Sequence, residues 1–281
     1  MKHAYYFISD AHLGLGDKTE EKFKESILVS FLDDIKEDAK ELYIVGDLFD
    51  FWIEYKYVVP KGFYRFFAKL SELMDNGLKV YYLAGNHDFW RGNYFKDEFG
   101  IDILDEPFER VIEGKRFFIH HGDGLAYNDT GYKIVRAILR NKVCQFLYSL
   151  LHPTIGIGLA KGTSSKSRVH TSKKDYSQKD GLRDFAKEKI REGYNYVLMG
   201  HRHNPEMLSE GSGWYINLGD WMDNFTFGVF ADGSFSLKRY YDIEKHETTN
   251  EVIKSDWQKE SEIKEKSSTD IYQTETTEKR K

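Results

Sequence analysis

Gly46-Asp47-Leu48-Phe49-Asp50 follows the apolar run Leu42-Tyr43-Ile44-Val45. That run reads as a short buried strand, being four residues long and bounded by a glycine turn. A strand that runs into Gly and then a carboxylate sets Asp47 at the carboxyl end of a sheet strand, where open α/β sheets hold their ligands. A buried carboxylate is costly without a cation beside it. Four further stretches have the same local context: Ser9-Asp10-Ala11-His12, Gly85-Asn86-His87-Asp88, His120-His121-Gly122-Asp123 and Gly200-His201-Arg202-His203. We expect the five loops to converge on two metal ions, with Asp47 shared between them.

Outward from this stretch, the first half of the chain alternates strands and helices. Ala4–Ser9 reads as the first strand, running on from Met1-Lys2-His3 with too little length for a signal peptide. A helix is expected over about Glu20 to Lys40, with Phe23, Ile27, Phe31 and Ile35 on one face. A second is expected from Gly62 to Asn76, stopped by Asn76-Gly77. Lys79–Leu83 is a third strand, and Val111–Ile119 a hairpin turning at Glu113-Gly114-Lys115. Such alternation implies parallel strands with crossover helices. After the interruption described below, Gly181–Glu192 reads as a helix and Tyr196–Met199 and Trp214–Asn217 as strands. Phe227–Phe230 and Ser234–Tyr240 pair across Ala231-Asp232-Gly233. We therefore place a core at 1–124 and 180–243, an insertion at 125–179, and a disordered charged tail at 244–281.

At 281 residues and 40% hydrophobic content the chain is long enough for one large core. Its single cysteine, Cys144, excludes a disulfide framework and suits a reducing compartment. No apolar run approaches the ~18 residues of a membrane span. Charge is uneven. From Thr130 to Lys174 there is no acid and nine basic residues, leaving −14 for the remainder of a chain whose net charge is −5. A block this one-sided points to an anionic partner. Within it Ile134, Ile138, Val143, Phe146, Leu147, Leu150 and Leu151 recur near helical spacing, and Pro153 and Gly156-Ile157-Gly158 break the pattern. A helical insertion is expected, then a Ser/Lys-rich loop over Thr163 to Lys174. Apolar residues with basic ones between suit acyl chains below and anionic headgroups above; a helical hairpin packed on the sheet, or a dimer contact, fits the same pattern. Nucleic acid is disfavoured as a partner by the apolar half of the block.

Asp10, His12, Asp47, Asn86, His121, His201 and His203 form a mixed oxygen and nitrogen donor set suited to Mn²⁺, Fe²⁺ or Zn²⁺. The i, i+2 pairs Asp10/His12 and His201/His203 would share one side of an extended segment. A lone His-x-His pair also fits surface or packing histidines. Five such motifs in one chain, each at a strand end, do not. Asp50 also fits a loop cap, and Asp88 a turn bonded through its own side chain. His120, His3, His152, His170 and His246 read as structural or solvated.

In this order the five motifs resemble those of the calcineurin-like metallophosphoesterases, over roughly residues 4–240. The resemblance implies a four-layer αββα sandwich carrying a helical lid insertion. It implies one metal held by Asp10, His12, Asp47 and His203, a second held by Asp47, Asn86, His121 and His201, and attack by a hydroxide bridging the two ions. His87 would protonate the leaving group or stabilise phosphoryl charge, with Asp50 orienting and cationising it.

Within that family, Gly200-His201-Arg202-His203-Asn204-Pro205, Leu218-Gly219-Asp220-Trp221 and the place of the insertion are similar to the UDP-2,3-diacylglucosamine pyrophosphatases of lipid A synthesis. This implies attack on the α-phosphorus of a lipid-linked nucleotide diphosphate, releasing UMP and 2,3-diacylglucosamine 1-phosphate. It also implies Mn²⁺ as cofactor and a cytoplasmic enzyme peripheral to the inner membrane. Asn86, Asp129, Ser167, Thr171, Lys174 and His201 would contact substrate. One position departs: those enzymes often carry Arg where this chain has His87, so a phosphodiesterase or nucleotidase acting on another substrate stays open, as does a non-catalytic scaffold.

Overall fold

The computed structural model describes residues 2–88, 92–104, 107–125, 141–160, 162 and 180–254. Two sheets stack face to face. The larger has seven strands in the order β12-β11-β10-β1-β2-β3-β4, the smaller five in the order β5-β6-β7-β9-β8. In chain order the strands are β1 (Ala4–Ile8), β2 (Ala39–Val45), β3 (Lys79–Leu83), β4 (Ile103–Leu104), β5 (Phe108–Ile112), β6 (Lys115–Ile119), β7 (Tyr196–Met199), β8 (Glu206–Glu210), β9 (Gly213–Asn217), β10 (Thr226–Ala231), β11 (Ser234–Asp242) and β12 (Glu247–Val252). The helices are α1 (Lys18–Asp34), α2 (Tyr64–Asp75), α3 (Tyr94–Phe99), α4 (Lys142–Ser149) and α5 (Gly181–Arg191).

Three apolar layers give the four-layer αββα sandwich. Between the sheets lie Tyr5, Phe7, Tyr43, Val45, Phe117, Ile119, Leu198 and Ile216. Phe7 stacks on Tyr43 with ring centroids 4.8 Å apart and on Phe117 at 5.9 Å. Alternate residues of the larger sheet, Tyr6, Ile8, Leu42 and Ile44, face Leu28, Phe31 and Leu32 of α1 and Phe66 and Leu70 of α2. On the opposite outer face Phe118, Val197 and Met199 meet Leu182, Ala186 and Ile190 of α5. Each such side chain, fully buried, contributes ~1.5–3 kcal/mol. β1, β2 and β3 run parallel, as do β6, β7 and β9, so their carboxyl ends collect at one edge of the sandwich.

Two local expectations change. Asp17 starts α1 with a capping box, accepting from the Thr19 and Glu20 amides while Glu20 reaches back to the Asp17 amide. The helix, however, ends at Asp34 instead of near Lys40. Ile35 is buried, and Ala39 opposite Ala4 already belongs to the β1–β2 ladder, so sheet pairing claims residues that helix periodicity would have continued. Within the tail expected to be disordered over 244–281, Glu247–Val252 instead forms β12, which pairs with β11 from Asp242↔Glu247 to Lys238↔Val252; 255–281 lies outside the described residues. An edge strand draws its stability from the backbone ladder, so exposed charged side chains conceal it from any hydrophobic pattern. The hairpin turn does form, with both Glu113 and Gly114 at positive φ, as a two-residue turn requires.

Between β6 and α5 the described residues hold α4 and a further helical stretch, 153–160. Val143, Phe146, Leu147, Leu150, Ile155 and Leu159 are exposed there. Asp129, Ser167, Thr171 and Lys174, expected to contact substrate, lie outside the described residues.

Candidate metal centre

Each loop that carries candidate ligands leaves a strand at the shared edge. Asp10 follows β1, Asp47 follows β2, Asn86 follows β3, His121 follows β6, and His201 and His203 follow β7. The first two loops are zipped together by amides: Asp10 donates to the Gly46 carbonyl (3.1 Å), His12 to that of Asp47 (3.0 Å) and Leu13 to that of Leu48 (2.9 Å). Two glycines are dictated by close approach. A Cβ on Gly46, which sits at φ +84°, would run into the His121 ring, and one on Gly85 would run into the Asp47 carboxylate.

The backbone of the ligand loops is not extended. Asp10, His12, Asp47, His201 and His203 all have left-handed φ, between 43° and 68°. This replaces the extended alternation expected from the i, i+2 spacing. Such a conformation costs a non-glycine residue on the order of 1–3 kcal/mol, and it persists where the surroundings over-determine it.

The side chains converge. Asp10 Oδ1 lies 3.2 Å from His203 Nε2 and 3.7 Å from His12 Nε2, and the two imidazole nitrogens face each other at 3.3 Å. Asp47 Oδ2 stands 3.7 Å from His12 Nε2 and 3.3 Å from His121 Nε2. His121 Nε2 is 3.1 Å from Asn86 Oδ1. Asp10, His12 and His203 therefore form one group with donor atoms within 4.8 Å of one another, and Asp47, His121 and His201 a second. A third such group joins His12 and Asp47 to His87.

The two carboxylates divide their oxygens. Asp10 Oδ2 accepts from Ser9 Oγ and, at 2.9 Å, from the His201 amide; Asp10 Oδ1, fully buried, has no hydrogen-bond partner among the described residues. Asp47 Oδ1 accepts from the His87 amide at 2.8 Å, which turns Oδ2 to the imidazoles. One oxygen is tied to the scaffold while the other faces ring nitrogens, an arrangement that divalent ions complete.

The electrostatics agree. Burial opposes ionisation of Asp10, yet His203 and His12 beside it hold its carboxyl well below the usual range. Burial pulls His12 down, but Asp10 and Asp50 raise it to about 9. His121, also against burial, is raised well above its ordinary value by Asp47 and Asp10. His201 falls to about 4 through burial and the charge on His121. The site thus attracts positive charge, whether protons or metal.

Asp50 and His87 meet differently from the expectation. His87 Nδ1 lies 2.9 Å from the backbone carbonyl of Asp50 and 3.7 Å from its carboxylate, which stands equally near His12 Nδ1 at 3.6 Å. Burial lowers the His87 pKa, against the Asp47 and Asp50 charges, which raise it. Asp88 does bond within its turn, accepting from the Gly85 amide, but it also accepts from the Leu48 amide and Tyr82 hydroxyl.

Two residues that sequence reasoning passed over touch the ligand loops. Lys24 Nζ donates to the His12 carbonyl at 2.6 Å, and Asn224 Nδ2 to that of His203 at 2.9 Å. A signal existed for the first: Lys24 sits in the helical register of Leu28, Phe31 and Ile35, on a face otherwise apolar.

The pattern of calcineurin-like phosphoesterases matches residues 4–205. The chain belongs to the calcineurin-like phosphoesterase family. Among curated relatives, a protein of Porphyromonas gingivalis named UDP-2,3-diacylglucosamine hydrolase is 34% identical over 263 residues, covering 87% of this chain and 100% of that one. A protein of the same name from Haemophilus influenzae is 31% identical over 240 residues, covering 83% and 97%. As a member of this phosphoesterase family the chain is an enzyme of the metal-dependent hydrolase type, and its two donor groups are where divalent ions fit.

Proposed function

We propose that the chain hydrolyses the diphosphate of UDP-2,3-diacylglucosamine, giving 2,3-diacylglucosamine 1-phosphate and UMP. What carries this reading is the match along the whole length of the Porphyromonas gingivalis protein that bears the name. Two divalent ions, Mn²⁺ first among them, would be held by Asp10, His12, Asp47 and His203 and by Asp47, Asn86, His121 and His201. Bound there, they supply charge for the phosphoryl oxygens and acidify water. Asp47 Oδ2, facing both groups, is the shared ligand.

The remaining work falls to the protein's own groups. His87, neutral when buried, gains a proton as a phosphoryl anion arrives, because an opposite charge beside the ring offsets the burial penalty. The leaving group of a diphosphate is itself a phosphate and weakly basic. Cleavage therefore asks more for positive charge at this position than for a transferred proton. On this view His87 and an Arg in the same place serve one purpose, with Asp50 holding the ring through its carbonyl.

The exposed apolar side chains of α4 and residues 153–160 would receive acyl chains or rest on the inner-membrane surface from the cytoplasmic side. No helix among the described residues is long and apolar enough to cross a membrane. Asn86, His201, Asp129, Ser167, Thr171 and Lys174 would grip the diphosphate and sugar. His87 supports a second reading, a phosphodiesterase with another substrate. Release of UMP from UDP-2,3-diacylglucosamine in detergent, with and without Mn²⁺, separates the two: Mn²⁺-dependent release supports the first, and its absence alongside turnover of small phosphodiesters supports the second.

A further inference from the structure

Lys24 and Asn224 reach the metal centre through the backbone carbonyls of His12 and His203. Lys24 is 7% exposed on α1; its ammonium donates to the His12 carbonyl and pairs with Glu21 Oε1 at 2.9 Å. Glu21 in turn accepts from the Gly14 and Gly16 amides, so the pair clasps the whole loop that leaves His12. Asn224 donates to the His203 carbonyl and, at 2.6 Å, to Asp220 Oδ2. Asp220 is 1% exposed and is itself fixed by the Met222, Asp223 and Asn224 amides.

Both clamps act on left-handed residues, His12 at φ 43° and His203 at φ 55°. In that conformation the carbonyl direction and the ring direction are tied, because the residue has little room to rotate without a clash between Cβ and the following peptide. Both clamped residues also belong to one donor group, Asp10, His12 and His203. The other group is braced by different contacts: His121 Nδ1 lies 2.9 Å from the Val45 carbonyl, and Asn217 Nδ2 donates to the Gly200 carbonyl at 2.8 Å.

We infer that Lys24 and Asn224 are positioning residues for one of the two ion positions, the one built from Asp10, His12 and His203, and that the other position does not depend on them. The inference rests on the two-ion reading above and adds to it an asymmetry that the donor atoms alone do not display. Partners that orient a ligand from behind typically change metal affinity about 10- to 100-fold when removed.

The test is calorimetric titration of Mn²⁺ into the full-length chain stripped of metal, for the wild type, Lys24→Met, Lys24→Arg and Asn224→Ala, with thermal melts to verify folding. Two binding events are expected in the wild type. In Lys24→Met and Asn224→Ala one of them weakens about 10- to 100-fold while the other stays within about twofold, and Lys24→Arg, which keeps a donor, recovers most of the loss. Equal weakening of both events, or no change in either, overturns the inference. Should Lys24→Met fail to fold, Asn224→Ala decides by the same outcomes. A wild type that binds fewer than two ions overturns the two-ion reading, and the inference with it.

Discussion

The Leu48 amide donates to Asp88 Oδ2 at 2.8 Å, which ties the loop that presents Asp47 to the loop that presents Asn86 and His87. Asp88 is 1% exposed and takes two further donors, the Gly85 amide and the Tyr82 hydroxyl. Asp88→Ala leaves three buried donors without this acceptor. At ~1–3 kcal/mol for each unsatisfied group, a loss of at least ~3 kcal/mol of stability is expected in urea denaturation. A loss below ~1 kcal/mol would mean that the loops hold each other without it.

Asp47→Ala removes the oxygen that faces both donor groups. Hydrolysis of any phosphodiester should fall below detection at saturating Mn²⁺, and the ion stoichiometry by calorimetry should drop. Turnover near the wild-type rate would contradict the shared role of Asp47.

His87→Arg and His87→Ala separate charge from proton transfer. If the diphosphate requires charge, His87→Arg keeps most UMP release, while His87→Ala loses about 10²-fold or more. On a diester with a strongly basic alkoxide leaving group both variants should be slow, because neither can donate a proton there at neutral pH. Equal loss on the two substrates in His87→Arg would show that the imidazole proton matters for both.

Phe146 on α4 and Leu150, the residue that caps its C-terminus, are 62% and 67% exposed. Phe146→Asp with Leu150→Asp should raise the KM for lipid substrate at least tenfold and weaken sedimentation with anionic vesicles. A small chromogenic phosphodiester should be cleaved as before. A matching loss on the small substrate would assign α4 to packing on the core.

Ion removal should lower stability as well as activity. Ligands that bind only the folded state stabilise it by about 2.7 kcal/mol at a free concentration 100-fold above Kd. The melting temperature should fall on chelation and return with Mn²⁺. An unchanged melt under conditions where calorimetry shows ions leaving would contradict binding at the convergent, buried carboxylates.

Much of this architecture is legible in one dimension because the alternation of buried strands with helices carries it. The runs at Ala4–Ile8, Leu42–Val45, Lys79–Leu83 and Tyr196–Met199 identify themselves by apolar content, and the residues that follow them name the candidate ligands. What escaped was held by tertiary contact. β12 has no apolar pattern, since it is an exposed edge, and α1 stops where the β1–β2 ladder begins. Lys24 meets the His12 carbonyl only because α1 lies against the His12 loop.

The order Asp-x-His, Gly-Asp-x-x-Asp, Gly-Asn-His-Asp, His-Gly-Asp and Gly-His-x-His was enough to determine the family and to nominate seven ligands, because metal chemistry demands those residue types at strand ends. Only the tertiary structure decided how they meet. Asp47 Oδ2 stands between His12 and His121 because Oδ1 is engaged by the His87 amide. Five candidate ligands take left-handed φ, and Asp50 meets His87 Nδ1 at 2.9 Å through its carbonyl and at 3.7 Å through its carboxylate. These are contacts between loops 35 to 74 positions apart in the chain, and no local pattern can specify the angle at which two loops approach.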